Sequence, residues 1–296
     1  MIDGHIHLND DVSDDEVPDR GGLLEKLEQA GMEGGVLLSA PPSGCMPTGI
    51  AKSPERRMSD LLSWVGEPGQ LHPFFWIDPT EADAVDQVAL VCGLGAEGFK
   101  VIPSRHAPCD PRAMKTYDEI ARFRRPLLFH AGILWDGLPS SDFTRPAAYE
   151  GLLEIPGLRF SLAHAAWPWL DECIAVYGKM LHAHRVRSGP GVEMFIDTTP
   201  GTPPIYREEL IRKLFTVGYD VEDNLVFGSD GSARDYPVEW TRNWVARDEG
   251  LIDRLHAEGA ILDAASVKDK YFGRNLARFL DGSPPAKARK IPDVAG

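Results

Sequence analysis

Eight apolar runs of strand length recur along the chain at fairly even intervals. They begin near Ile2, Gly35, Leu71, Glu97, Pro126, Leu158, Val192 and Asn224. Residues 35–38 and 224–227 are almost continuously apolar, which is typical of strands that are buried on both faces of a parallel sheet. Most of the intervals carry helical signals, so the alternation predicts successive βα units around one sheet.

Helix-start signals support this alternation after several of the predicted strands. Ser53 can cap a helix whose first residue is Pro54, and Asp110 precedes Pro111 in the same way. Thr80 is expected to begin the helix that lies between these two. Helices in these intervals would supply the crossovers that parallel strands require.

Eight βα units that close on themselves form a (β/α)8 barrel, so the predicted fold is α/β, a distorted TIM barrel in a single domain. A barrel of 296 residues, 43% of them hydrophobic, is ordinarily one domain. We assign residues 1–282 to the barrel and residues 283–296 to a C-terminal tail that is mobile or packed on a neighbouring subunit. An open doubly wound sheet would normally carry a glycine-rich phosphate turn after its first strand, where residues 9–15 are instead mostly acidic.

The formal net charge of -14 disfavours polyanionic partners, which argues against nucleic acid and acidic membrane surfaces and for a small-molecule substrate. The 4 cysteines are scattered, with no C-x-x-C pair, as is typical of thiols in a reducing compartment. The chain opens on a strand without the pattern of a targeting segment, and no run approaches the roughly twenty apolar residues of a membrane span. We therefore expect a cytoplasmic protein, and homo-oligomer formation is open.

Five polar side chains stand at the carboxyl ends of four predicted strands. His5 and His7 end the first strand, His130 the fifth, His164 the sixth and Asp230 the eighth. His5 and His7 are two residues apart and therefore share one face of their strand. Each residue alone has an ordinary explanation, such as a buried hydrogen bond or a helix cap. Because a barrel gathers these strand ends at one mouth, their convergence favours a bound cation.

Several motifs follow one another along most of the chain. They are Asp3-Gly4-His5-Ile6-His7, Gly98-Phe99-Lys100, Phe129-His130-Ala131-Gly132, Ala163-His164, Gly228-Ser229-Asp230 and a closing helix over residues 271–279. Their order and spacing resemble the amidohydrolase superfamily, in particular its amidohydrolase-related branch of hydrolases, lactonases and non-oxidative decarboxylases. The resemblance implies that His5, His7, His130 and Asp230 are metal ligands and that His164 stands beside the metal as proton-transfer partner.

Lys100 is the ambiguous member of this set. Its charged side chain lies in an otherwise apolar run, residues 98–102, so it must meet an anion, carry a lowered pKa or be carbamylated. In superfamily members with two metals, a carbamylated lysine on the fourth strand bridges them and the histidine of the sixth strand becomes a ligand. The branch resembled here is mostly mononuclear, and an ion pair is the commoner state of a buried lysine, so we expect one metal.

The chemistry of the donor set agrees with the resemblance. Three imidazoles and one carboxylate suit Zn²⁺, with Mn²⁺, Fe²⁺ or Co²⁺ as alternatives, and an open position would hold a water whose pKa falls to about 7. Asp230 can accept the proton of that water, and His164 can relay it to the leaving group. These roles predict a metal-dependent hydrolase that cleaves a C–N or C–O bond of an amide, lactone or ester-like small molecule.

Two other functions are open at this stage. The same ligands would serve a non-oxidative decarboxylase or hydratase of an unsaturated or aromatic carboxylic acid, which anchoring of the acid by Arg105 or Arg234 would favour. A barrel that has lost catalysis and only binds a metabolite is an alternative of another class. The filled ligand positions argue against it.

Residues at or just beyond the strand ends are the candidates for substrate contacts. They are Ser39, Trp76, Arg105, His106, Trp135, Trp167, Asp197 and Arg234. Trp135 and Trp167 are expected to form an apolar wall, and Arg105 and Arg234 to bind a carboxylate. Asp197 is expected to accept a hydrogen bond within the barrel rather than bind metal. The acidic residues 10–19 either contribute to a lid or serve solubility.

Overall fold

The sheet consists of parallel strands throughout. A computed structural model describes residues 1–8, 19–42, 52–66, 69–186, 191–201 and 203–285. Within these ranges the strands are β1 Ile2–His7, β2 Gly34–Leu38, β3 Leu71–Trp76, β4 Gly98–Val101, β5 Leu127–Phe129, β6 Arg159–Leu162, β7 Glu193–Asp197, β8 Leu225–Val226 and β9 Gly231–Ser232. Their order around the sheet is β8-β7-β6-β5-β4-β3-β2-β1-β9. The eight predicted strands are confirmed, and each begins within one residue of its predicted position.

The sheet closes because β8 and β9 belong to one segment, residues 225–232, that reaches both of its open edges. β8 pairs with β7, and β9 pairs with β1. Between them the backbone stays against β1, where Gly4 N donates to Phe227 O at 2.9 Å and Asp230 N donates to His5 O at 3.0 Å. The fold is therefore the predicted distorted (β/α)8 barrel in a single domain, with its eighth strand split in two.

Helices surround the sheet; those before β8 connect its strands, and the last three follow β9. They are α1 Arg20–Gln29, α2 Pro54–Val65, α3 Ala84–Leu94, α4 Pro111–Arg122, α5 Leu170–Val186, α6 Pro204–Thr216, α7 Val238–Ala257, α8 Ala264–Asp269 and α9 Asn275–Asp281. Between β5 and β6 the chain forms 3₁₀ turns, Ser141–Phe143 and Pro146–Glu154, in place of an α-helix. In the described part of the chain, no helix is long and apolar enough to cross a membrane. The domain boundary at residue 282 stays a prediction, and residues 286–296 of the predicted tail lie outside the described residues.

Side-chain caps explain where several helices begin. As predicted, Ser53 and Asp110 cap α2 and α4, and each accepts a hydrogen bond from a backbone N–H of the first turn. The helix start predicted at Thr80 is wrong, since α3 begins at Ala84. Asp78 Oδ1 accepts hydrogen bonds from the backbone N and the hydroxyl of Thr80, at 2.9 and 2.7 Å, and holds this stretch in a turn.

Two apolar clusters pack the fold, and the smaller one fills part of the barrel interior. Phe279 of α9 packs there against Phe195 and Phe74, with ring centroids 5.0 and 6.3 Å apart. Leu276 of the same helix and Ile2, the first residue of β1, belong to this cluster or pack on it. Arg159, the first residue of β6, donates to Phe279 O at 3.1 Å, so α9 lies at the amino end of the barrel, opposite the polar strand ends.

Candidate active site and metal centre

A cavity of about 290 Å³ opens where the polar strand ends meet. Its lining includes the residues that the sequence singled out for chemistry, which are His5, His7, Lys100, His130, His164 and Asp230. They come from β1, β4 and the turns that follow β5, β6 and β8. The structure brings these residues together as the barrel hypothesis requires, and their individual roles stay predictions.

His5, His7 and Asp230 form the tightest part of the cavity. The two Nε2 atoms are 3.2 Å apart, and Asp230 Oδ1 lies 3.2 Å from His7 Nε2 and 3.6 Å from His5 Nε2. Ligand atoms held at about 2.0–2.1 Å from one tetrahedral ion would be about 3.3–3.4 Å apart. All three residues offer ligand atoms within 4.8 Å of one another. The separations therefore match those of a metal ligand set.

The Nε2 atom of His5 presents a lone pair to this cluster, because the other ring nitrogen, Nδ1, donates a hydrogen bond to Asp197. His5 Nδ1 lies 2.8 Å from Asp197 Oδ2, a carboxylate oxygen that accepts, so Nδ1 carries the proton. Nε2 is then an acceptor that lies 3.6 Å from Asp230 Oδ1 and 3.2 Å from Lys100 Nζ, and a metal ion would compete with this ammonium for the lone pair. Carboxylates commonly orient ligating histidines in this way. The donors fit a divalent ion, and Asp197 accepts a hydrogen bond as predicted.

Burial and neighbouring charges shift the pKa values of the cluster. Burial, followed by Lys100, lowers the pKa of His5 to about 4. Burial also lowers the pKa of Lys100, whose Nζ lies 3.2 Å from His5 Nε2, to about 8. Burial raises the pKa of Asp230, but His7, His164 and His5 together hold it well below its usual value. A neutral imidazole and a charged carboxylate are the forms that bind metal.

His130 and His164 complete the polar side of the cavity, with ring centroids 5.0 Å apart. Burial lowers the pKa of both imidazoles. His164 Nδ1 donates to Thr199 O at 3.3 Å, which leaves Nε2 to exchange a proton. His130 Nε2 is buried without a hydrogen-bond partner among the described residues, and a metal or a substrate atom would satisfy it. His130 lies outside the three-residue ligand group, so its role as a ligand stays a prediction.

Two residues of the cavity, His164 and Asp230, have a left-handed backbone conformation. The φ angle is 58° at His164 and 61° at Asp230, a conformation that residues with side chains seldom adopt. Such strain costs about 1–3 kcal/mol per residue and concentrates at functional sites. Gly132 lies against the turn that carries His164. A Cβ added at this glycine would be only 2.4 Å from Trp167 O, so the position leaves no room for a side chain. The turns that follow β5 and β6 are thus packed directly on each other.

Asp3 anchors the segment that carries Asp230, a role that the sequence analysis missed. Its Oδ1 accepts from the backbone N of His5 and of Ser229, at 3.0 and 2.9 Å, and its Oδ2 accepts from the Tyr236 hydroxyl at 2.6 Å. Burial raises the pKa of Asp3 to about 6. A signal was present in the sequence, since an acid stands in the same short run as both histidines.

The predicted substrate contacts divide into two groups. Trp135 and Trp167 line the cavity, whereas Arg105 and Arg234 are not part of its lining. Arg105 is exposed to solvent. Trp76, the last residue of β3, also lines the cavity, and its buried indole Nε1 has no hydrogen-bond partner in the ranges that the structure describes. Residues 10–18 of the acidic loop lie outside the described residues, so the lid stays a prediction.

A known protein family matches almost the whole chain. The profile of the amidohydrolase family matches residues 2–282. The chain belongs to the amidohydrolase family. The matched range contains the whole barrel and the cluster of His5, His7 and Asp230, which could hold a metal ion. No curated protein matches the chain.

Solved structures of amidohydrolases share this fold at low sequence identity. An amidohydrolase from Burkholderia multivorans is 14% identical, with a TM-score of 0.59, over 94% of this chain and 98% of that chain. Amidohydrolase 2 from Bifidobacterium longum subsp. infantis is 14% identical, with a TM-score of 0.54, over 95% of this chain and 98% of that chain. Dihydroorotase from Campylobacter jejuni is 12% identical, with a TM-score of 0.51, over 98% of this chain and 85% of that chain. At these identities the likeness supports the fold and carries no information about the substrate.

Proposed function

We propose that this amidohydrolase is a metal-dependent hydrolase that cleaves a C–N or C–O bond of an amide, lactone or ester-like small molecule with an activated water. Family membership supports a metal-dependent hydrolase in general. One observation carries the proposal: two imidazole nitrogens and one carboxylate oxygen converge to within 3.2–3.6 Å of one another in the cavity.

The cluster defines which residues would hold the ion. These are His5, His7 and Asp230, with His130 proposed as a fourth ligand, and Zn²⁺ suits this donor set best. When bound, a divalent ion supplies Lewis-acid activation of the acyl carbonyl and of water. We propose one ion, because the carboxylates of the site attract Lys100 as an unmodified ammonium and thus explain it without carbamylation.

Two side chains are placed to move protons around the acyl bond. The Asp230 side chain is 35% exposed, so it can accept a proton from the attacking water. His164 can pass a proton through Nε2 to the leaving nitrogen or oxygen, since its Nδ1 is held by Thr199 O. The indoles of Trp76 and Trp167 in the cavity lining limit access of further water.

The lining favours hydrolysis over the decarboxylase or hydratase alternative. A carboxylic acid was expected to be anchored by Arg105 or Arg234, and neither lines the cavity. Release of carbon dioxide without consumption of water would decide for the alternative.

We also propose that the enzyme works in the cytoplasm, which the free thiols of Cys92, Cys109 and Cys173 support.

Metal analysis of purified variants tests the site. We expect one equivalent of Zn²⁺ in the wild-type protein and loss of stoichiometric metal in His7→Ala and His130→Ala. His72→Ala is the matched control, because His72 lies near the start of β3, where it pairs with Glu97 at 2.6 Å. Full metal retention by His7→Ala would overturn the proposed metal site. Full retention by His130→Ala would show that His130 is not the fourth ligand.

Activity assays on the metal-loaded protein test the reaction. We expect hydrolysis of at least one class in a panel of lactones, esters and amides. His164→Asn should retain metal and lose at least about 100-fold in kcat, because it removes proton transfer and not a ligand. Unchanged kcat would exclude His164 from the mechanism. If the metal-loaded wild type hydrolyses nothing in the panel, a non-catalytic metabolite-binding barrel becomes the better description.

A further inference from the structure

We propose that the acyl compound processed at this site has an apolar body of about the size of an aromatic ring and carries no more than one negative charge. The inference rests on the proposed function and names its substrate class. Its basis is the division of polar and apolar side chains around the cavity.

The side chains outside the polar cluster form an apolar wall. This wall consists of Leu8, Trp76, Ile102, Ile133, Leu134, Trp135 and Trp167. In ligand pockets of this kind, a few polar groups fix the reacting atoms and apolar contact holds the rest of the ligand. The apolar wall therefore fits a body that gains free energy by leaving water.

Two tryptophans of the apolar wall have surface available for a ligand. Trp135 is 82% exposed although it lines the cavity, and an indole gains from being covered. Trp167 is backed by Tyr206, with ring centroids 5.9 Å apart, which limits its movement. A planar apolar body in the cavity would contact both indoles.

The charge distribution excludes a substrate with several carboxylates. Among the described lining residues Lys100 is the sole cation, and its Nζ lies 3.2 Å from His5 Nε2 within the polar cluster. Residues 9–18 and 43–51, which lie outside the described ranges and follow β1 and β2, contain no Lys or Arg in the sequence. A second carboxylate on the body would lose its water shell without gaining a partner, which is strongly unfavourable.

A polyhydroxylated body such as a sugar fits the apolar wall no better. Each hydroxyl that enters needs a partner to replace water, and an unpaired one opposes binding. The side-chain donors of the apolar wall are its three indole N–H groups, of which Trp76 Nε1 is buried and has no partner within the described part of the chain. These groups only donate, so the apolar wall can satisfy isolated acceptor substituents but not a ring of hydroxyls, whose own protons also need acceptors.

Calorimetric titration of the Zn²⁺-loaded protein with two hydroxamates tests the apolar body without turnover. Benzohydroxamate and acetohydroxamate share the metal-binding group and differ by five carbons. Burial gains about fourfold in affinity per fully buried carbon, so half-burial of five carbons predicts roughly 30-fold tighter binding of benzohydroxamate. Trp135→Ala and Trp167→Ala should reduce this ratio. Phe123→Ala, which removes a 40% exposed aromatic at the end of α4, should leave it unchanged. A ratio near one, or no binding of benzohydroxamate, overturns the inference.

Turnover of three lactones separates this inference from the proposed function. We expect the highest kcat/KM for dihydrocoumarin, which is neutral and aromatic, and far lower values for glucono-1,5-lactone and for isocitric lactone, which carries two carboxylates. Faster hydrolysis of either polar lactone would overturn the inference and leave the hydrolase assignment intact. Failure to hydrolyse any acyl compound would count against the proposed function, and the hydroxamate ratio would still decide the inference.

Discussion

The substitution Asp197→Asn tests whether a buried carboxylate at the end of β7 sets the metal-binding form of His5. Asp197 Oδ2 accepts from His5 Nδ1 at 2.8 Å, and Oδ1 accepts from Thr199 N at 2.6 Å and from the Thr199 hydroxyl. Three donors therefore converge on one carboxylate. An asparagine amide has one accepting oxygen and a nitrogen that only donates, so it cannot satisfy them all.

The size of the effect follows from this mismatch. If the amide nitrogen faces His5 Nδ1, it favours the tautomer with the proton on Nε2, and a protonated nitrogen does not bind metal. If it faces Thr199, it leaves buried donors unpaired at a cost of about 1–3 kcal/mol. Loss of the partner that orients a ligating histidine typically lowers metal affinity 10–100-fold, which is about 1.4–2.7 kcal/mol. We expect the Kd for Zn²⁺ to rise by this factor.

Competition calorimetry on chelator-stripped protein measures the change. Asp223→Asn is the matched control, because it removes a buried carboxylate that pairs with Lys270 at 3.0 Å, just before β8, and touches no residue of the cluster. The control should bind Zn²⁺ like the wild type. If Asp197→Asn folds and binds Zn²⁺ with wild-type affinity, the carboxylate does not set the state of His5 and the reasoning fails.

Two further predictions concern packing. Gly132→Ala should lower the free energy of unfolding by more than about 2 kcal/mol, because φ is 99° and the new Cβ would lie 2.4 Å from Trp167 O. Gly137→Ala, at φ 72° with no atom within 4 Å, should cost only the strain of about 1–2 kcal/mol, and equal losses in denaturant titrations would contradict the close packing. Arg207→Met should cost about 3–5 kcal/mol because the fully buried Asp248, 2.5 Å away, loses its counter-ion and keeps only the hydrogen bond from the Tyr271 hydroxyl at 2.7 Å. The double variant with Asp248→Leu should recover most of that loss, and no recovery would refute the ion-pair argument.

The strands and the polar residues behind them were predictable because both depend on short-range pattern. A strand buried on both faces is a continuous apolar run, so its end is visible in the sequence as the first polar residue. His130 follows β5 directly, and His164 stands two residues beyond β6. The barrel rule then places such residues at one mouth. The structure agrees, since both line the same cavity.

Side-chain directions beyond the strand ends were not predictable in the same way. Trp76 and Arg105 both stand near a strand end in sequence, yet Trp76 lines the cavity and Arg105 faces solvent. The path of each loop decides this, and that path depends on tertiary contacts. The bonds of Asp3 to Ser229 and Tyr236 likewise form only when the first and last strands meet. Residues that line the cavity could therefore be predicted from the sequence at the strand ends, but not in the loops.

Closure of the barrel and binding of the proposed ion would act on the same residue, Asp230. Asp230 has a left-handed backbone, which costs about 1–3 kcal/mol, and its N–H donates to His5 O at 3.0 Å, which fixes it against β1. Its Oδ1 lies 3.6 Å from His5 Nε2, which also faces Lys100 Nζ at 3.2 Å, and a bound ion would attract both the carboxylate and the imidazole lone pair. Because only the folded chain presents this arrangement, the proposed ion would stabilise the fold in proportion to the logarithm of its concentration over Kd. The hydrogen bonds that hold Asp230 against β1 would therefore couple binding of the proposed ion to the stability of the barrel.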